Sequence, residues 1–272
     1  MGLFSSNFQK AGPGVSKNAP PKKRIVLFGE LFVRKFWKII QMNLLYVLFC
    51  LPIVTIGPAT AALTYVMRCF VQEKPVFLFA DFLDAFKKNW KQSAITWVLS
   101  TAIIALMGLA IFTYSGMADQ TFAWNIPLVL VMAFALVVIM THFYIYLLIV
   151  TVDLKLTQII KNSFILALAG LKSNLLTVVW LVLIWGAMVL FFPYTVILLP
   201  FFPLAFSVFI VCFNSYPHVR KYVIDPYYDR TGERNPEKPE GGQDAENVLF
   251  EDMGGKELPI RLPNAGKGKR IR

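Results

Sequence analysis

Histidine, intramembrane acid and catalytic motifs are what this chain has least of. Its 272 residues include two histidines, which excludes a histidine-rich metal centre. The three cysteines, Cys50, Cys69 and Cys212, are odd in number and have no metal-ligand spacing. That gives neither a disulfide framework nor a zinc site, and they read as small apolar packing residues. The phosphate loop G-x-x-x-x-G-K-S/T, H-E-x-x-H, C-x-x-C and G-x-S-x-G are all missing. No enzyme chemistry, metal or cofactor is therefore expected. No carboxylate falls within a long apolar run, and Asp153 sits at the edge of one. A carboxylate-driven ion pump is disfavoured on that ground. Residues 1–24 contain no continuous apolar stretch of the secretory-signal kind. With Gly12-Pro13-Gly14, Pro20-Pro21 and the basic cluster Lys22, Lys23, Arg24, they read as a disordered cytoplasmic lead-in.

Charge is scarce too, at 16% of residues against about 25% in a soluble domain. The deficit is gathered in blocks. No basic residue other than histidine lies between Lys91 and Lys155, or between Lys172 and Arg220. Those gaps hold the longest apolar runs of a chain that is 57% hydrophobic, with mean hydropathy +0.59. Every Lys and Arg can be placed on one side of a membrane, the pattern of the positive-inside rule. Both termini are then cytoplasmic and the loop Ser115–Asn125 external. The net charge of +11 would suggest nucleic acid in a soluble protein. Here the cations flank apolar runs, so anionic lipid headgroups are the expected partner and nucleic acid is not.

The sequence predicts an all-α integral membrane protein, a bundle of about six transmembrane helices. The first pair, Phe36–Leu51 and Pro58–Val71, is a short hairpin broken at Pro52–Pro58. At about 21 Å the second member either extends through the break to span or is a re-entrant half-helix. The remaining segments are Ser93–Tyr114, Ile126–Val152, Leu175–Phe191 and Thr195–Phe213, the last kinked by Pro200 and Pro203. Two amphipathic helices are expected at the cytoplasmic interface. In Phe79–Lys91, Phe79, Phe82, Leu83, Phe86 and Trp90 share one face, opposite Asp81, Asp84, Lys87, Lys88 and Lys91. Bilayer contact is the favoured role of that aromatic face, and packing on the bundle is the alternative. Asp153–Leu168 is the second. Phe79–Tyr114 and Asp153–Phe191 thus each join an amphipathic helix to a spanning one, a faint internal repetition. The domain plan is 1–24 lead-in, 25–222 membrane body and 223–272 disordered cytoplasmic tail.

The block Pro52-Ile-Val-Thr-Ile-Gly-Pro-Ala-Thr-Ala-Ala-Leu63 resembles the YesL-type family of bacterial multi-pass membrane proteins. Asn43-Leu-Leu before the break, Asp81-Phe-Leu-Asp-Ala-Phe-Lys-Lys-Asn-Trp-Lys-Gln92 and the last span ending Asn214-Ser-Tyr216 agree. The resemblance covers about residues 25–222. It implies a bacterial plasma-membrane protein encoded near carbohydrate-uptake and glycan-degradation genes, with carbohydrate ABC-importer subunits as partners. It supplies no catalytic or ligand residue.

Two clusters are candidate sites. His142 falls near the middle of the fourth segment, with Thr141 beside it and Tyr146 one turn on. A titratable group at that depth suggests a proton relay, while a neutral histidine bonded inside the bundle is the plainer reading. Thr55, Thr60 and Asn43 surround the Pro52–Pro58 break, where freed backbone groups could hold an ion or polar solute, or simply turn the chain. Three functions follow. The first is a non-enzymatic accessory protein linked to carbohydrate uptake. The second is a small transporter or channel using a site near His142 and the break. The third, least supported, is a membrane-embedded enzyme.

Overall fold

The computed structural model describes residues 23–119, 121–232 and 235. Most of the lead-in and tail expected to be disordered lies outside those residues. Every regular element among them is helical, as an all-α membrane bundle requires. The helices are α1 (Arg24–Cys50), α2 (Ile56–Val71), α3 (Leu78–Lys88), α4 (Trp90–Ala118) and α5 (Asn125–Ile149). Then come α6 (Leu156–Ala169), α7 (Leu171–Leu190), α8 (Pro203–Val219) and, after a π-helical turn, α9 (Asp225–Thr231). The helical body ends at Pro226, and a second compact unit begins at Tyr227.

Four stretches are long and apolar enough to cross a membrane: Ile53–Val71, Trp90–Ala118, Phe122–Ile149 and Leu171–Leu190. Six were expected. α1 has the length but carries Arg34, Lys35 and Lys38 in its middle. α8 has 17 residues, because the segment expected to run continuously from Thr195 is broken. A 3-10 turn, Tyr194–Leu198, comes first, and Pro203 then opens the helix at its first position. Proline suits that place, where its missing N–H has no intrahelical acceptor to lose. The kink expected at Pro203 is therefore a helix start.

The chain repeats one plan three times: an outer helix, an inner helix, then a helical turn or amphipathic helix. α1, α4 and α7 are outer; α2, α5 and α8 pack on one another at the centre. Each outer helix bridges two inner ones, so α1, α2, α4, α5, α7 and α8 follow one another around a closed ring. Two hydrogen-bonded asparagines and one close backbone approach make the bridges. Asn43 of α1 accepts the Ala205 N–H of α8 (2.7 Å) and donates to the Leu199 carbonyl (3.0 Å). Ser93 of α4 lies against Gly57 of α2, and Asn174 of α7 accepts the Tyr144 hydroxyl of α5 (2.8 Å). All three are fully buried. Gly57 is required there, since a Cβ would stand 2.5 Å from the Ser93 carbonyl oxygen and 2.8 Å from Trp97 Cβ. The repetition expected from the sequence was limited to the amphipathic and following helices of two units.

α3 corrects one expectation. Asp81 accepts the Phe77 N–H (2.9 Å) over its first turn, and Lys87 and Lys88 close its last, as the helix dipole favours. Phe82 is fully buried, and with Phe86 it packs edge-on against Phe49 of α1. The middle of the aromatic face therefore covers protein, while Phe79 and Trp90 at its two ends are exposed.

Candidate functional site

His142 faces a cleft of about 450 Å³ between α4, α5 and α6, lined mainly by Leu99, Ile103, Phe134, Ile145 and Phe164. Its Nδ1 is 3.5 Å from the Ser100 hydroxyl, at the outer limit of a hydrogen bond. Its ring meets Tyr146 edge-on. Thr141 donates to the Val137 carbonyl one turn back (2.8 Å). The cleft is mostly apolar; Thr96, Ser100, Thr141, His142 and Lys161 are its polar lining, and Tyr146 is not part of it.

The Pro52–Pro58 break is internally satisfied. Thr55 donates to the Phe49 and Pro52 carbonyls across the turn. Thr60 donates to the Ile56 carbonyl (2.7 Å) and pairs with the Tyr46 hydroxyl (3.0 Å). Asn43 is engaged with α8 as described. The structure brings Thr60 beside Tyr46 and places Asn43 against the third unit. His142 opens on the α4–α5–α6 side instead, while its ring neighbour Tyr146 lies close enough to Tyr46 to act on it electrostatically.

A different cavity gathers charge. It has about 490 Å³ and lies between α1, α7 and α8. Its origin is Pro217, a proline inside α8. Proline has no N–H, so the carbonyl four residues earlier, that of Phe213, loses its intrahelical donor. Arg24 replaces it. Its Nη2 donates to the Phe213 carbonyl (3.1 Å) and the Asn214 carbonyl (3.3 Å), and its Cζ lies 5.4 Å from the Phe213 ring centre. Ser173 at the start of α7 donates to the same Asn214 carbonyl (3.3 Å). These contacts hold α1, α7 and α8 together at one end and leave the cavity between them.

Arg24, Lys172 and His218 supply its basic groups. Phe28, Leu176 and Trp180 supply an apolar wall. Among the described residues no carboxylate lines it. Gly170 lets α6 turn into α7 here, because a Cβ would meet the Tyr144 hydroxyl at 2.7 Å and His218 Cδ2 at 3.3 Å. His218 Nε2 is buried with no hydrogen-bond partner among the described residues. Burial, reinforced by the nearby charges of Arg24 and Lys221, holds its pKa below the usual imidazole range. Chemically the cavity is an anion trap with an oily wall.

Residues 39–111 match the family model described as protein of unknown function, DUF624. The match runs from the middle of α1 through the break, α2 and α3 into α4, so it includes the block on which the resemblance rests. Comparison with curated proteins and with solved structures gives no match. The cavity lies outside the matched stretch.

Sequence reasoning missed this cavity. Arg24 was assigned to the lead-in, whereas it is the first residue of α1. The last span was expected to end before Pro217. The available signal was that proline itself, whose place in a helix leaves a carbonyl seeking a distant donor.

Proposed function

We propose that this chain is a non-enzymatic accessory protein of the bacterial plasma membrane, of the YesL-like kind, which assists carbohydrate uptake by docking on importer membrane subunits. Both termini lie in the cytoplasm in this reading, on the side where the basic residues gather. One observation supports the accessory role over a conduit: Asn43, Thr55, Thr60 and Thr141, nominated for transport, all spend their polar groups on neighbouring protein carbonyls. The flanks of α4, α5 and α7 are by contrast apolar and open, with Leu106, Leu109, Val129, Leu130, Val182 and Leu183 all exposed. Such flanks suit lipid and the helices of a membrane partner alike.

The test is affinity purification of the tagged full-length chain from its own membranes in mild detergent, paired with sugar uptake in a deletion strain. Recovery of importer membrane subunits with reduced uptake is expected. A monomer recovered alone, with unchanged uptake, would sink the proposal. The transporter reading retains the His142 cleft. It requires that His142→Ala abolish solute flux in reconstituted vesicles.

A further inference from the structure

We propose that the cavity between α1, α7 and α8 holds the headgroup phosphate of an anionic phospholipid, with the start of an acyl chain lying along Phe28, Leu176 and Trp180. This site is independent of the accessory role.

Among the described residues the charge lining the cavity is of one sign: Arg24 and Lys172 face it and no carboxylate does. Among the described residues Arg24 uses only Nη2 for hydrogen bonds, all to Phe213 and Asn214. Its Nε and Nη1 remain as donors of the planar fork that suits phosphate oxygens. Lys172 is exposed and adds a mobile point charge. The first turn of α7 contributes in the same sense, since the N–H groups of a first turn have no intrahelical acceptors.

The apolar wall selects the class of anion. Leu176 is 54% exposed and Trp180 45%, and the surface continues up α7 through exposed Val179 and Leu183. A phospholipid covers that wall while its phosphate meets the cations. Inorganic phosphate would satisfy the cations and leave the wall in water. Lys172 stands at the start of α7 and Trp180 eight residues further along it, about 12 Å deeper at 1.5 Å per residue, so a phosphate held at the first would lay its acyl chain along the second. The volume of about 490 Å³ falls in the range of roughly 300–1,000 Å³ typical of ligand pockets.

The experiment uses the full-length protein in phosphatidylcholine nanodiscs. Part of the lipid is replaced by phosphatidylglycerol, or by further phosphatidylcholine, with brominated acyl chains that quench tryptophan. Subtracting the Trp180→Phe signal isolates Trp180. Trp180 should be quenched at a lower mole fraction of brominated phosphatidylglycerol than of brominated phosphatidylcholine. Lys172→Gln, at an exposed position that leaves the fold intact, should cut that preference about fivefold. Arg24→Gln should abolish it and also lower thermal stability, because Arg24 serves the Phe213 carbonyl. Equal quenching by the two lipids would overturn the proposal, as would a preference untouched by Lys172→Gln. Reversal of quenching by inorganic phosphate at matched ionic strength would make the site one for soluble anions and overturn the lipid assignment.

Discussion

From Ile126 to Phe134 the outward side chains of α5 are more than half exposed, while from Met140 to Ile149 nearly every side chain is covered by protein. Ile126, Val129, Leu130, Met132 and Phe134 are exposed; Met140, Tyr144, Leu147 and Leu148 are fully buried. Both halves are strongly apolar, so hydropathy does not separate them. In water the apolar residue goes inside and the polar one outside. In a bilayer the outside is apolar as well, and small polar residues mark the faces that touch protein. α4 and α7 obey this rule closely. Their buried residues are Ser93 and Thr96 in one, Asn174 and Thr177 in the other. Their exposed large apolar residues are leucine, isoleucine, valine and aromatics, although Thr101, Thr113 and Ser115 of α4 are exposed too.

The sharpest way to break that comparison is a matched pair within α5. Leu147→Ala should cost about 2–5 kcal/mol by opening a cavity among packed neighbours. Leu130→Ala should stay within about 0.5 kcal/mol. Unfolding in mild detergent, followed by circular dichroism, measures both, and equal losses would show that the two halves are packed alike. A second pair uses glycine. Gly57→Ala forces a methyl group onto the Ser93 backbone and should cost about 1–3 kcal/mol. At Gly108, where a Cβ meets nothing within 4 Å, alanine should be neutral or stabilise by up to about 1 kcal/mol. If thermal melts rank these two the other way, α2 and α4 are not in close contact. Asn43→Ala should come next, at about 1–3 kcal/mol, by leaving the Ala205 N–H and the Leu199 carbonyl without partners. A melting temperature unchanged in that variant would remove Asn43 from the ring.

The smallest effect is on pH dependence. Burial lowers the pKa of His218 in the folded state, so the unfolded chain binds the extra proton more readily. Stability from this group is complete above the ordinary imidazole pKa of about 6.5 and declines as the pH falls below it. Melts across that window should slope for the native chain and flatten in His218→Gln. An unchanged slope would assign the dependence to other groups.

Much of the fold was legible because a bilayer writes its constraints locally. Apolar runs, the break at Pro52–Pro58 and the basic gaps can each be read within a few turns. Two things were harder. The aromatic face of α3 looks the same whether lipid or Phe49 receives it, since both are apolar. The start of the first helix was misplaced because Lys35 and Lys38 were treated as anchors at a helix end, whereas α1 begins eleven residues before Lys35, at Arg24. The sites were less legible still. His142 and the break were conspicuous by residue type, yet their polar atoms are mostly answered locally. The cavity is built from Arg24, Lys172 and His218, which share no local pattern and meet only when the ring closes.

That closure has an order in time. Arg24 and its acceptor Phe213 are separated by 189 positions, and at roughly 5–20 residues per second a ribosome takes on the order of ten seconds or more to make what lies between. Throughout that interval the guanidinium has no carbonyl to hold, and the nascent chain presents an open seam between its earliest helix and its unfinished last one. Translation arrest before Pro217 would therefore strand the protein as a horseshoe, inserted yet unlatched.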